Sequence, residues 1–351
     1  MPGPNQPFAL SRSQVDKAGD VLVDEHSPNS KVKEAEQILG QWRSRHAIPL
    51  DSIRSLLAAE VAKIDPMALI GQRLKRSPSI VAKLRRWTGM KLSRMQDIGG
   101  LRAVVADMEK LRMLVSIFMN GDVSYVVTRR TDYIDEPQET GYRSVHLILK
   151  LTGHQHADFE GVLLELQIRT RLQHAWATAV ETVDTFQRLT LKSNQGPEEW
   201  LEFFALTAAA LALHEGCTAV PPKFAGHDRN LIFEKTVDEV RRLRIRERLR
   251  VYSSALQTIG PNDGSAYYLL ELDVEARKTT YKAYAKADVE LAMNDYLAAE
   301  KRLRDSRSQV VLVAAESVDE LRQAYPNYFV DTHRFVTLLD EIEAATGAAD
   351  V

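Results

Sequence analysis

The chain has 351 residues, of which 44% are hydrophobic and 27% charged, which predicts a water-soluble globular protein with more than one domain. Its formal net charge of −2 excludes a protein that coats nucleic acid through bulk positive charge, so any contact with a polyanion must be local. A single cysteine, Cys217, excludes a disulfide framework and a cysteine-ligated zinc site. Residues 1–10 lack a signal pattern and no apolar run is long enough to span a bilayer, so a cytoplasmic protein without membrane contact is expected.

Residues 1–29 are rich in Pro, Ser, Asn and Asp and predict a flexible lead-in. Apolar residues at spacings of three and four then predict helices over 31–45, 50–64 and 79–88. A strand over 98–105 and a helix over 108–119 follow. Alternation with a period of two predicts strands over 123–128, 144–150 and 162–168. Helices return over 171–186, 200–214 and 231–256.

The turn sequence Pro261-Asn262-Asp263-Gly264 predicts a domain boundary. Beyond it we expect a hairpin over 267–274 and 278–283, a helix over 287–304, a strand over 310–314, and helices over 318–323 and 332–344. The predicted fold class is α/β (α+β). A first domain over 30–260 has a mixed sheet flanked by helices, and a small α+β domain follows over 265–345.

A basic segment at a predicted loop-to-helix transition is the first candidate site element. It reads Arg73-Leu74-Lys75-Arg76-Ser77-Pro78-Ser79-Ile80-Val81-Ala82-Lys83. Cations, hydroxyls and the free N–H groups of a helix start together suit a triphosphate. A solvated basic helix start would show the same pattern.

The second element is Asp97-Ile98-Gly99-Gly100-Leu101-Arg102, with a carboxylate at the mouth of an apolar strand. The two glycines allow close backbone approach. A carboxylate combined with substrate phosphates is the usual way in which proteins hold Mg²⁺. An aspartate that merely caps a turn is the alternative interpretation.

The third element starts at Asp132-Tyr133-Ile134, continues with Gly141-Tyr142-Arg143-Ser144-Val145-His146 and ends with Glu165-Leu166-Gln167-Ile168-Arg169-Thr170. Tyr142 follows a glycine at the end of a loop, where its ring can stack on a base. Alternation places the polar side chains of each strand on one face: Ser144 and His146 on the first strand, and Glu165, Gln167 and Arg169 on the second. Five polar groups on apolar strands indicate a site, although a strand with a solvated polar face alternates in the same way.

The order of these segments, with DIGGLR, DYIDEPQETGYRSVH and ELQIRT, resembles the synthetase domain of the RelA/SpoT family over roughly residues 45–184. The resemblance implies a nucleotidyltransferase-like enzyme that moves pyrophosphate from ATP to a ribose 3′-hydroxyl with Mg²⁺. It implies that Arg73 and Arg102 sandwich the adenine of ATP. The remaining implied roles are phosphate binding by Lys75, Ser79 and Lys83, Mg²⁺ binding by Asp97, metal binding or base catalysis by Glu165, base stacking by Tyr142, and acceptor support by His146, Gln167 and Arg169.

Two departures from the family pattern concern the acceptor and a second activity. Alarmone-making members usually have a lysine and an asparagine before the Gly-Tyr pair, where this chain has Gln138 and Thr140. A neutral glutamine cannot pair with a β-phosphate, so free GDP or GTP is a less favourable acceptor. His227-Asp228 is a lone pair that is more typical of a turn than of the family's hydrolase site.

The segment 316–329 resembles the C-terminal region of fused toxin–antitoxin synthetases of the CapRel type. The resemblance implies a pseudo-zinc-finger domain over 265–345 whose Tyr-x-x-Tyr motif, here Tyr325 and Tyr328, occludes the ATP pocket. It also implies an activator from a phage, such as a capsid protein. Both tyrosines could instead be ordinary packing residues.

Toxic members of this family modify the 3′-terminal adenosine of tRNA, which requires a local basic surface. Arg241, Arg244 and Arg248 belong to a run of six arginines that could contact the tRNA backbone, or form a solvated face that pairs with nearby acids. The expected function is therefore ATP-dependent pyrophosphorylation of tRNA, self-inhibited and triggered in anti-phage defence. The alternatives are a small alarmone synthetase that makes (p)ppGpp or (p)ppApp, and a catalytically silent nucleotide sensor.

Overall fold

The computed structural model describes residues 10–152, 159–187, 189, 191, 194–253, 267–273, 276, 278–303, 306, 308–314 and 332–347. The helices are α1 Arg12–Val23, α2 Asn29–Ser44, α3 Ala47–Ile64, α4 Ser77–Arg86, α5 Met108–Met119, α6 Arg171–Gln187, α7 Glu198–His214, α8 Arg229–Arg242, α9 Ile245–Ser253, α10 Val289–Arg302 and α11 His333–Gly347. The strands are β1 Leu69–Leu74, β2 Gly99–Val105, β3 Tyr125–Asp132, β4 Val145–Leu151, β5 Leu163–Thr170, β6 Tyr267–Asp273, β7 Lys278–Tyr284 and β8 Gln309–Ala314.

The described strands form one mixed sheet of eight strands in the order β3-β4-β5-β2-β1-β8-β6-β7. Only the β2–β5 pair is parallel among them, and the other neighbours are antiparallel. Helices α3, α5 and α10 pack their apolar residues against one face of this sheet. A second core lies among α6, α7, α8, α9 and α11. The expected mixed sheet flanked by helices is confirmed.

The C-terminal strands extend this sheet and do not form a sheet of their own. Strand β8 pairs with β1 at Arg73 and Val313, and β6 pairs with β8 on its other side. Without β8, β1 would be an exposed edge strand, which proteins generally cover. The sequence placed these strands in a separate small domain because a pairing between β1 and β8 leaves no local signal. A regulatory role for residues 265–345 stays a prediction.

The flexible lead-in predicted for residues 1–29 is wrong over the part that the structure describes, because α1 occupies Arg12–Val23. The helix begins with a capping box in which the Ser11 side chain accepts from Gln14 N while the Gln14 side chain accepts from Ser11 N. Val15 and Ala18 are buried against the rest of the chain. The helix was missed because its apolar face is narrow and its polar residues resemble those of a linker.

Two further elements differ from the sequence prediction. Strand β1 was missed because Gly71, Gln72 and Arg73 interrupt its apolar pattern, although Gln72 is buried in the sheet. The predicted helix over 231–256 divides into α8 and α9, since Arg244 between them adopts a φ of 52°. Within the described ranges, none of the helices combines the length and apolar character that crossing a bilayer requires.

Candidate active site

Strand register brings the polar residues of three sequence segments onto one face of the sheet. Residues directly opposite each other in paired strands share a face. Gly100 of β2 lies opposite both Arg73 of β1 and Glu165 of β5. Two residues further along β2, Arg102 lies opposite Gln167 of β5, which in turn lies opposite His146 of β4. The alternation predicted for Glu165, Gln167 and His146 is therefore confirmed, and these side chains face away from the helices α3, α5 and α10.

Asp97 lies two residues before β2 and contacts two lysines. Its Oδ2 accepts from Lys75 Nζ and from Lys83 Nζ, both at 2.9 Å. Its Oδ1 is buried and has no hydrogen-bond partner among the described residues. Burial alone would raise the pKa of Asp97, but the two lysines outweigh it and hold the pKa below its usual range. The result is an ionised carboxylate with one oxygen available to a further cation.

The two glycines after Asp97 serve different purposes. A Cβ on Gly99 would lie 2.6 Å from Leu164 Cδ2 and 3.1 Å from Leu50 Cδ1, so Gly99 is required for packing on the covered face. Gly100 lies on the polar face, where its nearest heavy atom would be Arg73 O at 3.8 Å from a Cβ. Gly100 thus leaves open space between Arg73 and Glu165.

Helix α4 carries the remaining phosphate candidates. Ser79 and Lys83 are four residues apart and therefore lie on the same side of the helix. Backbone contact fixes the chain just before it, because Lys75 N donates to Ile98 O at 2.8 Å. Burial is the main cause that lowers the pKa of Lys75. These contacts bring Lys75, Lys83 and Asp97 together, and their roles in binding phosphates and Mg²⁺ stay predictions.

A chain of hydrogen bonds links Glu165 to Tyr142 through His146. His146 Nδ1 lies 3.0 Å from Glu165 Oε1, and His146 Nε2 lies 2.9 Å from Tyr142 Oη. Gln167 Nε2 donates to Glu165 Oε2 at 2.8 Å. Burial alone would lower the pKa of His146, but Tyr142 and Glu165 raise it to about 9. The same contact with His146 lowers the pKa of Glu165 against the effect of burial, so the pair is charged at neutral pH.

Tyr133 is a site residue to which the sequence assigned no role. Its ring packs edge-to-face on Tyr142 and on His146, with centroids 5.7 Å and 5.2 Å apart. The sequence feature that could have indicated this role is the position of Tyr133 directly after β3, at the start of a loop. The loop is held by Asp132, which pairs with Arg112 and accepts from Ile134 N. Gly141 precedes Tyr142 and has a φ of 85°. A Cβ at this position would lie 2.4 Å from Ala208 Cβ, so the turn before Tyr142 requires glycine.

Arg169 is a buried cation near the end of β5. It is 2% exposed, and its Nε has no hydrogen-bond partner in the described part of the chain. Burial and then the neighbouring Arg102 are the main causes that lower its pKa. Guanidinium groups are not neutralised by deprotonation in proteins. Arg169 and Arg102 together therefore favour an anion beside them.

The candidate residues outside this face have other surroundings. Arg241 pairs with Glu343 of α11, Arg248 lies 5.4 Å over the ring of Trp200, and Arg244 is exposed. A role of these arginines in tRNA binding stays a prediction. Tyr325 and Tyr328 lie outside the described residues, as does the helix predicted over 318–323.

The residues present fit a Mg²⁺ ion that is bound together with phosphates. No group of three or more His, Cys, Asp and Glu side chains that could hold a metal by itself occurs among the described residues. Mg²⁺ is usually held by one or two carboxylates plus substrate phosphates and water. The unpartnered Asp97 Oδ1 and the nearby Glu165 carboxylate meet that requirement.

Comparisons with known proteins find similarity over the segment that contains these residues. Residues 72–184 match a family model described as the region found in RelA / SpoT proteins. The chain is 33% identical over 139 residues to the GTP pyrophosphokinase YjbM of Bacillus subtilis and 30% identical over 137 residues to YwaC of the same organism. These alignments cover 37% of this chain and 62% and 65% of the two relatives.

Further matches are less extensive or less similar. The uncharacterised protein Rv1366 of Mycobacterium tuberculosis is 28% identical over 135 residues, or 45% of its length. The chain thus spans less than two thirds of the length of these curated relatives. The structure of small alarmone synthetase 1 from Bacillus subtilis bound to its product pppGpp matches with 26% identity and a TM-score of 0.42, covering 50% of this chain and 93% of that one. Residues 72–184, which hold every candidate residue of the polar face, are thus similar to the region found in RelA and SpoT proteins.

Proposed function

We propose that this chain is a pyrophosphokinase that transfers the β,γ-pyrophosphate of ATP to a 3′-hydroxyl group. The observation that carries the proposal is the juxtaposition of Asp97, its two lysines and Glu165 around the open space above Gly100. Phosphoryl-type transfer depends mainly on positioning and on neutralisation of phosphate charge. The relatives named GTP pyrophosphokinase support the same reaction class.

In the proposed reaction the acceptor oxygen forms a bond to the β-phosphorus of ATP. The bond between that phosphorus and the oxygen bridging to the α-phosphate breaks, and AMP leaves with that oxygen. The proton of the acceptor hydroxyl passes to Glu165, the base implied by the family resemblance. Mg²⁺ held by Asp97 together with the phosphates would supply charge neutralisation at those phosphates. Lys75, Ser79 and Lys83 bind those phosphates in this proposal, and Arg73 and Arg102 enclose the adenine.

The acceptor binds on the side of Tyr142, His146, Gln167 and Arg169. Tyr142 stacks on the acceptor base, and its hydrogen bond to His146 connects that base-binding ring to Glu165. The ionised His146 keeps Glu165 oriented through Nδ1. Arg169, a buried cation, favours a phosphate group of the acceptor.

We propose the 3′ end of tRNA as the acceptor, with a free guanine or adenine nucleotide as the second candidate. Gln138 is uncharged and supplies no positive charge for a free 5′-diphosphate. Exposed Arg129 and Arg130 on β3 and exposed Arg244 could contact a polynucleotide backbone. The names of the Bacillus relatives favour the nucleotide instead.

The acceptor is identified by incubating the protein with Mg²⁺ and γ-labelled ATP and offering tRNA, GDP, GTP and AMP separately. Label on tRNA supports the favoured acceptor, and label on a nucleotide supports a small alarmone synthetase. The absence of label from all four would leave a silent nucleotide sensor. For the tRNA product, removal of the 3′-terminal adenosine should prevent labelling.

We further propose that residues 265–345 restrain the enzyme and that a phage protein releases it in anti-phage defence. Support comes from the position of β8, which pairs with β1 at Arg73 and ends at Ala314. Tyr325 follows Ala314 by eleven residues, a length that can span more than 30 Å when extended. The paired substitution Tyr325→Ala and Tyr328→Ala should raise basal activity, and unchanged activity with full inducibility would contradict the proposal.

A further inference from the structure

A buried arginine links the N-terminal helices to the C-terminal part of the chain. Arg43 of α2 is 0% exposed. Its Nη1 donates to Ser77 Oγ at 2.7 Å and to Glu300 Oε2 at 2.8 Å, and its Nη2 donates to Tyr296 Oη at 2.8 Å. Burial would lower the pKa of Arg43, but Tyr296 and Glu300 outweigh burial and raise it. The guanidinium is therefore charged and held against α10.

The Glu300 carboxylate also caps the helix that carries Ser79 and Lys83. Ser77 N donates to Glu300 Oε1 at 3.1 Å, and Ser77 Oγ donates to Glu300 Oε2 at 3.0 Å. Ser77 is the first residue of α4, and the preceding Arg76 provides no side-chain cap. The first N–H groups of a helix need acceptors and favour a negative charge. Here that acceptor comes from α10, more than two hundred residues away in the sequence.

Strand β8 contacts the residues that precede α4. Arg73 lies opposite Val313 in the sheet, and Arg76 Nη1 donates to Gln309 Oε1 at 3.3 Å. The C-terminal residues thus contact the chain on both sides of Lys75. Among the described elements, β8 pairs with β1 before Lys75, and α10 caps α4 after it.

We propose that Glu300 is a positioning residue for ATP. By capping α4 it fixes the orientation of that helix, and hence the distance of Lys83 from Asp97. Catalytic geometry is sensitive to displacements of about 1 Å. The inference rests on the proposed function, because it requires that this segment binds the triphosphate. It assigns to Glu300 a supporting role in catalysis, which is separate from the restraint proposed for Tyr325 and Tyr328.

The test compares full-length wild type with Glu300→Gln. The affinity for a non-hydrolysable ATP analogue with Mg²⁺ is measured by calorimetry, KM and kcat by pyrophosphate transfer, and folding by thermal unfolding. Loss of hydrogen bonds between charged groups should weaken analogue binding and raise KM for ATP about tenfold. Because removing one partner leaves the Arg43 charge buried, Glu300→Gln could also reduce stability.

Two variants separate positioning from stability. Arg43→Met combined with Glu300→Leu removes both buried charges, a change that proteins often tolerate, and should raise KM for ATP to a similar extent. Ser77→Ala keeps the ion pair and removes only the hydroxyl, so KM should rise a few-fold. The matched control is Glu343→Gln, which breaks the contacts of α11 with Arg241 and Arg246 away from the phosphate segment. Its KM for ATP should not change.

The outcomes distinguish this inference from the proposed function. A wild-type protein that does not bind the ATP analogue contradicts the proposed function and, with it, the role of Glu300. A wild-type protein that binds, together with a folded double variant and Ser77→Ala that bind equally well, contradicts the role of Glu300 alone. Higher activity in these variants would also overturn it, because the contact would then restrain the enzyme.

Discussion

Asp97 is half-buried, and its buried Oδ1 has no hydrogen-bond partner in the described part of the protein. Its charge is compensated by Lys75 and Lys83, both of which contact the other oxygen. In the proposed function, the lysines transfer their hydrogen bonds from Asp97 to phosphate oxygens. The carboxylate is then left to bind a metal ion.

Replacement of Asp97 by Asn should lower the rate of pyrophosphate transfer by a factor on the order of 100 or more, because metal affinity depends on the charge of the ligand. Binding of an ATP analogue in EDTA should be retained or strengthened, since two lysines lose their counter-ion. Asp107→Asn is the control, because Asp107 caps α5, its ion pair with Lys110 at 3.9 Å is on the surface, and asparagine caps equally well. Activity within a few-fold of wild type in Asp97→Asn would remove Asp97 from the site.

Tyr142 should contribute through both its ring and its hydroxyl. Tyr142→Phe keeps the ring but removes the bond to His146, so kcat should fall about tenfold with little change in acceptor KM. Tyr142→Ala also removes stacking and should raise acceptor KM by about tenfold or more. Steady-state kinetics with varied acceptor measure both parameters. Equal effects of both substitutions on both parameters would contradict the stacking role.

At the level of elements, local patterns predicted what depends on neighbours in sequence. Strand β2 follows from a compact apolar run, and strands β4 and β5 follow from alternation, which also places Glu165 and Gln167 on one face of β5. Strand β1 was missed because its burial depends on β2 and β8, and not on its own apolar pattern. Tyr133 became part of the site only when the register of β3 and β4 was known.

The break between α8 and α9 allows a prediction for Arg244. Its φ of 52° is in the left-handed region, which costs a non-glycine residue about 1 kcal/mol. Arg244→Gly should therefore raise the unfolding free energy by about 1 kcal/mol in urea titrations. Arg241→Gly, inside α8 and paired with Glu343, should instead lower it by a similar amount. A lower stability of Arg244→Gly would show that the arginine side chain outweighs the backbone strain.

At the level of the whole molecule, His46 should make stability depend on pH. It is 2% exposed, its Nδ1 lies 2.9 Å from Trp42 O, and burial lowers its pKa to about 4. Between pH 6.5 and 4 the unfolded chain binds a proton that the folded chain does not. The unfolding free energy should therefore fall as the pH falls through this range, by about 3 kcal/mol in total, and be fully retained above pH 6.5.

The contribution of His46 is measured as the difference between wild type and His46→Gln in urea unfolding across this pH range. Glutamine can still donate to Trp42 O but does not titrate, so the slope of the variant should be smaller. Carboxylates contribute equally to both curves and cancel in the difference. Parallel curves would show that His46 is protonated in the folded protein without penalty.

The contacts that unite the molecule are those that the sequence alone could not reveal. Arg43, Ser77 and Glu300 are separated by 34 and 223 residues, and each is an ordinary surface residue type in its local context. The division of the chain at residues 261–264 follows a turn pattern in the sequence, yet the described strands beyond it extend the first sheet. Pairing across such distances is determined by the tertiary fold, which a periodicity cannot report.

Deletion of residues 254–351 should consequently give an unfolded, inactive protein and not a freely active one. The deletion removes β8 from the edge of β1 and exposes the second core, which loses Phe335, Leu338, Leu339 and Ile342, all at most 1% exposed. Each buried side chain of this size contributes about 1.5–3 kcal/mol, so the loss approaches the whole stability of a typical protein. Circular dichroism and size-exclusion chromatography test folding, and label transfer from ATP tests activity. Tyr325→Ala with Tyr328→Ala is the matched variant, because it alters the proposed restraint and keeps every described element. A soluble, folded fragment with higher activity than the full chain would show that the C-terminal part only inhibits, and would contradict the supporting role of Glu300.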